Sequence, residues 1–196
     1  MPMLLQIVAQ NLSAWNLGQP KPGKMITTYP LKYEGGTPAI QLLPSSEAGS
    51  VWTPFEPRAF NGTGEEERKG IVFSIPEPIR EQMELLEERV REQLKPTFAR
   101  IDSMWNSSTK PAGKYPSQLK CKIRVSGPRA CRCVDSQGAS AQFPQDWSNL
   151  CCIPIFLLTA YVQKASAGLI IDVVALKLFD KREPGCCLEE DQLAFL

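Results

Sequence analysis

The residues with the most chemistry to offer lie in Leu119-Lys120-Cys121-Lys122-Ile123-Arg124-Val125. Side chains of a β-strand point alternately to opposite faces, so Leu119, Cys121, Ile123 and Val125 share one face and Lys120, Lys122 and Arg124 the other. The apolar face suits a core. The other is a row of three cations about 6–7 Å apart, a repeat comparable to that of a negatively charged polymer. From Asn106 to Val134 the chain also carries Lys110, Lys114, Arg129 and Arg132, with no Asp or Glu, although its net charge is only +1. That segregated field points to an anionic partner. The competing reading is a solvated strand face whose charges keep a sheet edge from pairing further.

Other chemistry is scarce. The chain has no histidine, which removes the commonest general base and the commonest zinc ligand. Cys131-x-Cys133 and Cys151-Cys152 do not have the usual Cys-x₂₋₄-Cys spacing of a structural zinc site. They fall inside expected strands, where a thiol packs as a small apolar group. No Gly-x-Gly-x-x-Gly or Walker loop occurs. The carboxylates gather on one helix face or in the tail, as solvated charges do. Neither an enzyme, a metal nor a cofactor is expected. Cations interleaved with Trp105, Tyr115, Phe143, Trp147 and Tyr161 are instead the ingredients of a single-strand binder: cations follow phosphates, and rings stack on bases without reading sequence. Tyr115 and Trp147 fall in expected loops and are the rings expected to be exposed, with Tyr161 a third candidate. Lys114, Arg129, Arg132 and Lys164 would assist Lys120, Lys122 and Arg124.

These residues need a scaffold, and the pattern supplies one. Strands are expected near 25–33, 39–43 and 70–75. Pro76 and Pro78 then introduce a helix over about 78–95, since proline is tolerated in a first turn. Ile79, Met83, Leu86, Val90 and Leu94 form its apolar stripe, and Glu81, Glu84, Glu87, Glu88 and Glu92 its outer face. A second helix is expected over 97–105, with Phe98, Ile101 and Trp105 inward. The strand at 119–125 is followed by a turn at Ser126-Gly127-Pro128 and a returning strand at 129–134. Long strands at 151–164 and 169–179, joined by Ala165-Ser166-Ala167-Gly168, complete an antiparallel meander or barrel. The expected class is β-rich α+β.

The chain of 196 residues is long enough for one cored domain. Residues 1–24 read as an N-terminal arm, 25–181 as the domain and 182–196 as a short acidic tail. The start has no basic leader or cleavage site, so the seven cysteines are expected to be reduced thiols of a soluble intracellular protein. The longest apolar run, Leu150 to Val162, contains Pro154 and is too short for a bilayer-spanning helix.

Over roughly residues 70–180 the order of short elements resembles the OB-fold single-stranded-DNA-binding proteins of tailed phages and large DNA viruses. The pattern runs from Ile71 to a strand end at Ser74-Ile75-Pro76, then the amphipathic helix and the Leu-Lys-x-Lys strand at Leu119. A Val-Asp-Ser-x-Gly turn (Val134 to Gly138), a Pro-x-x-Trp loop (Pro144 to Trp147), a long apolar strand and Ser166-Ala167-Gly168-Leu169 follow. The resemblance implies a five-stranded OB-like barrel with the helix inserted between strands. It implies sequence-independent binding of single-stranded DNA in replication or recombination, and a tail whose Glu189, Glu190, Asp191 and Phe195 contact replication partners. The alternative is a non-enzymatic protein-interaction or viral structural module on a similar sheet, which would bury Trp147. The sequence leaves DNA against RNA and the oligomeric state open, a homodimer included.

Overall fold

The computed structural model describes residues 4–6, 11–42, 51–59 and 68–181. In chain order these form β1 (Leu4–Gln6), a 3-10 turn (Leu12–Ala14), β2 (Trp15–Leu17), β3 (Lys21–Pro22), β4 (Thr27–Tyr33), β5 (Ala39–Gln41), β6 (Trp52–Thr53), β7 (Arg58–Ala59) and β8 (Arg68–Ser74). There follow α1 (Glu77–Leu94), α2 (Ile101–Met104), β9 (Trp105–Asn106), β10 (Thr109–Lys110), β11 (Gln118–Arg124), β12 (Arg132–Val134), β13 (Leu150–Val162) and β14 (Ala167–Lys181). No helix among the described residues is long and apolar enough to cross a membrane.

The long β13–β14 hairpin is the spine. Its turn is closed by Gln163 N donating to Ser166 O at 2.8 Å. Both faces of β13 are buried up to Phe156, after which burial alternates, because Leu150 to Phe156 is apolar at every position. One edge of β14 pairs antiparallel with β13. The other edge takes β9, β11 and β12 in succession, all parallel to it. β11 also pairs antiparallel with β8, β8 meets β6 at Ser74 and Trp52, and β6 pairs with β13. The pairing therefore returns to the strand from which it set out.

The sheet is mixed, which corrects the expected antiparallel meander. The chain does turn at Gly127, whose φ of 82° suits a residue without a side chain, and Ala130 N donates to Gly127 O. Yet β12 does not return along β11. It resumes β11's direction and occupies the next stretch of β14, at Ala175 to Lys177. Burial of Cys131 and Cys133 in the core favours this placement over a hairpin.

Helix α1 matches its expected span, and Ile79, Met83, Leu86, Val90 and Leu94 are all buried. The second helix is shorter than expected, four residues in place of nine. After Pro96, hydrogen bonds from Thr97 and Phe98 to Leu94 O form turns, and Trp105 leaves the helix to pair with Ala167 in β9. Ile101 is buried, whereas Phe98 and Trp105 are half-buried at the core's edge. Gln93 of α1 fixes β2. Its amide donates to Trp15 O at 2.8 Å and accepts from Leu17 N at 2.9 Å, seating Trp15 in the core against Tyr33.

Candidate nucleic-acid interface

The alternation along β11 puts Leu119, Cys121 and Ile123 in the core. Lys120 is exposed on the opposite face, and Lys122 and Arg124 are half-exposed there. Register extends the face across neighbouring strands. Lys120 lies opposite Val72, Lys122 opposite Gly70 and Arg124 opposite Arg68, while β7 sets Arg58 opposite Gly70 on its other side. Gly70 has no side chain, so the row Arg58–Gly70–Lys122 is low in the middle. Arg58 and Arg68 were missed by sequence reasoning because β7 and the start of β8 read as loop. The Arg68-Lys69-Gly70 run before an apolar strand was the available signal.

On the β14 side, Lys122 is in register with Asp172. Partial burial pulls the Lys122 pKa below the ordinary lysine value, with Asp172 pulling it up and Arg68 pushing it down. The acid-free segment from Asn106 to Val134 thus does not make an acid-free face: Asp172, fifty residues on, lies within the row, and Glu56 lies beside Arg58 at one end. Burial also pushes the Cys121 thiol beneath the row well up.

Lys120 lies where two clefts meet. One, of about 400 Å³, is bordered by Lys120, Lys122, Tyr161 and Ile170. The other is bordered by Lys120, Val72, Arg58 and Phe55, a ring 46% exposed. Neither is lined by α1, so the glutamate-rich helix does not cover the row. Tyr161 is half-buried across the strand from Gly168. A Cβ at 168 would come within 3.2 Å of the tyrosine ring and 2.7 Å of Asn106 O, so glycine is what lets the ring lie there.

The basic loop between β9 and β11 is held by α1, not repelled by it. Glu87 is only 3% exposed and accepts from Ser108 N at 2.7 Å, from Ser108 Oγ, and from Trp105 Nε1 at 3.0 Å. Thr109 Oγ1 donates to Glu84, and Ser117 Oγ to Glu77 at 2.6 Å. These bonds correct the reading of the acidic helix face as purely solvated. Arg80 and then Ser117, both hydrogen-bonding to Glu77, hold its carboxyl below the usual range. The loop between these anchors stays outside, with Lys110, Lys114 and Tyr115 exposed and Lys114 Nζ 5.7 Å from the Tyr115 ring centroid.

Trp147 is not an exposed ring. It is 5% exposed, stacked on Phe143 at 5.9 Å, and its carbonyl accepts from Thr53 Oγ1. Asp146 accepts from Ser148 N, bending the loop so that the indole turns inward. Arg129 and Arg132 are exposed beyond the end of β11, Arg132 in register with Ala175. Lys164 is exposed in the β13–β14 turn. Glu189, Glu190, Asp191 and Phe195 lie outside the described residues. The described cysteines are buried thiols, and among the described residues no group of three or more Cys, Asp or Glu is placed to hold a metal ion.

No protein-family model matches the sequence, and no curated protein matches it significantly. The structure is similar to that of gp2.5, a single-stranded DNA binding protein encoded by bacteriophage T7. The TM-score is 0.55 at 14% identity, over 80% of this chain and 92% of that one. It also matches the single-stranded DNA-binding protein of bacteriophage Enc34 in complex with ssDNA, with a TM-score of 0.48 at 11% identity over 87% of this chain and 98% of that one. The likeness to gp2.5 is one of fold: a β-rich chain with a mixed sheet and one long helix.

Proposed function

We propose that this chain binds single-stranded DNA without sequence preference, in replication or recombination, as a binding protein rather than an enzyme. The observation that carries the reading is the cationic face of β11, widened by Arg58 and Arg68 and flanked by Tyr161 and Phe55. Phosphates run over the cations and bases lie on the rings, an arrangement indifferent to sequence. The likeness of fold to gp2.5 supports the same reading. The circuit β8–β11–β14–β13–β6 is read as the OB-like barrel of residues 25–181, with residues 1–24 as its arm. Lys114, Tyr115, Arg129, Arg132 and Lys164 serve as outlying contacts, and Glu189, Glu190, Asp191 and Phe195 as a partner-binding tail.

Fluorescence anisotropy of a labelled oligothymidylate, titrated at several salt concentrations, tests the proposal. With about five phosphates neutralised, log K should fall against log salt with a slope of roughly −3.5. The triple variant Lys120→Glu, Lys122→Glu, Arg124→Glu should lose most of that slope while keeping its fold. A flat salt response in the parent protein, or unchanged binding by the variant, refutes it. Burial of Trp147 favours a second reading, a protein-interaction module. That reading predicts no binding to the oligonucleotide at any salt.

A further inference from the structure

We propose that the turn joining β3 to β4 is a second contact zone for the same strand, where Met25 lies against a base and Lys24, Arg100 and Lys164 hold phosphates. The inference rests on the reading of the β11 face as a single-strand site and extends its path. Three clefts adjoin one another. Those beside Phe55 and Tyr161 share Lys120 and Cys121, and the one beside Tyr161 shares Ile26 and Gln163 with a third. The clefts beside Tyr161 and Met25 therefore meet at Ile26 and Gln163, at the turn end of the β13–β14 hairpin.

Two turns frame this third cleft. Gly23 N donates to Ile26 O at 2.8 Å, leaving Lys24 and Met25 at the tip of one. The β13–β14 turn carries Lys164 to the same cleft, and Arg100, just before α2, completes its border. All three cations are exposed, and among the described residues no Asp or Glu lines the cleft. The central face, by contrast, contains Asp172 and Glu56. Met25 is 86% exposed, the most exposed large apolar side chain among the described residues.

A single exposed methionine on a turn is ordinary by itself. Here it sits among three cations, in a cleft that adjoins the one bordered by Tyr161, Lys120 and Lys122. A thioether is polarizable and packs well against an aromatic face, and every base presents one whatever the sequence. Methionine is also among the apolar side chains that wedge against bases in minor-groove proteins. The zone therefore gains affinity only from a strand long enough to reach it.

Oligothymidylates of about four and about sixteen nucleotides span the usual site sizes of one OB fold and separate the two zones. The double variant Lys24→Glu, Arg100→Glu should bind the longer oligonucleotide roughly 25-fold more weakly at about 0.1 M salt, about 5-fold for each lost phosphate contact. Its affinity for the shorter should be unchanged. In Met25→Trp, fluorescence should be quenched by the longer oligonucleotide beyond any change in the parent, and not by the shorter. Equal loss for both lengths, no loss for either, or an unquenched Trp overturns the inference. Lys120→Glu should weaken both lengths. If the parent protein binds neither, the central reading fails and takes this one with it.

Discussion

Replacing Asp172 by Asn should tighten binding to single-stranded DNA. Asp172 is the carboxylate set within the cationic face, in register with Lys122. A phosphate held by Lys122 would lie about 7 Å from that carboxylate, given neighbouring strands about 4.8 Å apart. Two like unit charges at about 7 Å repel by about 0.6 kcal/mol in water and about 2.4 kcal/mol at an effective dielectric constant of 20. The half-buried Lys122 places the site between these limits, so the gain should lie between about 3-fold and about 60-fold. The salt dependence gives an independent figure. The parent's five contacts give a slope of roughly −3.5, and freeing Lys122 from Asp172 should steepen it by at most roughly 0.7, the increment of one phosphate contact. The assay is anisotropy of a labelled oligothymidylate across salt, with far-UV circular dichroism to verify the fold. Unchanged affinity would show that DNA does not cross β14 at this row. Weaker binding would show that Asp172 positions Lys122 or accepts a hydrogen bond from a base, and the electrostatic argument would fall.

Trp147→Ala should destabilise the fold by about 3–5 kcal/mol, as a large core ring does when truncated. Tyr161→Ala should instead cost about 1–3 kcal/mol of DNA binding. Urea unfolding and anisotropy on both variants separate the two roles, and a Trp147 variant that keeps its stability while losing affinity would contradict the assignment. Glu87→Ala removes the acceptor for Ser108 N and Trp105 Nε1 and should cost about 1–3 kcal/mol, read by urea unfolding; amide exchange at Ser108 should quicken. The depressed pKa of Lys122 carries a pH signature. Its charge is lost at lower pH than that of an ordinary lysine, so DNA affinity should begin to fall as pH rises towards the lysine range. Lys122→Arg should abolish that early decline, because the guanidinium keeps its proton. Identical alkaline profiles for the two proteins would refute it.

Much of the scaffold was legible because its signals are local. The two-residue period of Leu119 to Arg124 requires an apolar and a cationic face wherever that strand is placed. The stripe Ile79, Met83, Leu86, Val90, Leu94 after Pro76 and Pro78 requires a helix with one buried side. The Ala-Ser-Ala-Gly turn joins two long apolar strands whichever sheet receives them.

Other features depend on residues distant in the chain. Asp172 and Arg68 enter the cationic face only because β14 and β8 flank β11, and period alone cannot choose a strand's neighbours. β12 follows a turn signal that reads as a hairpin, yet it lies along β14, with Cys131 and Cys133 buried in the core. Trp147 stands in a polar loop, but Thr53 and Phe143 draw it into the core. Glu87 looks like one more solvated helix carboxylate until Ser108 and Trp105 are folded against it. Side-chain direction within an element is set by backbone geometry over a few residues. Neighbours, burial and charge compensation are set by which distant segments dock, and that was decided only by the tertiary structure.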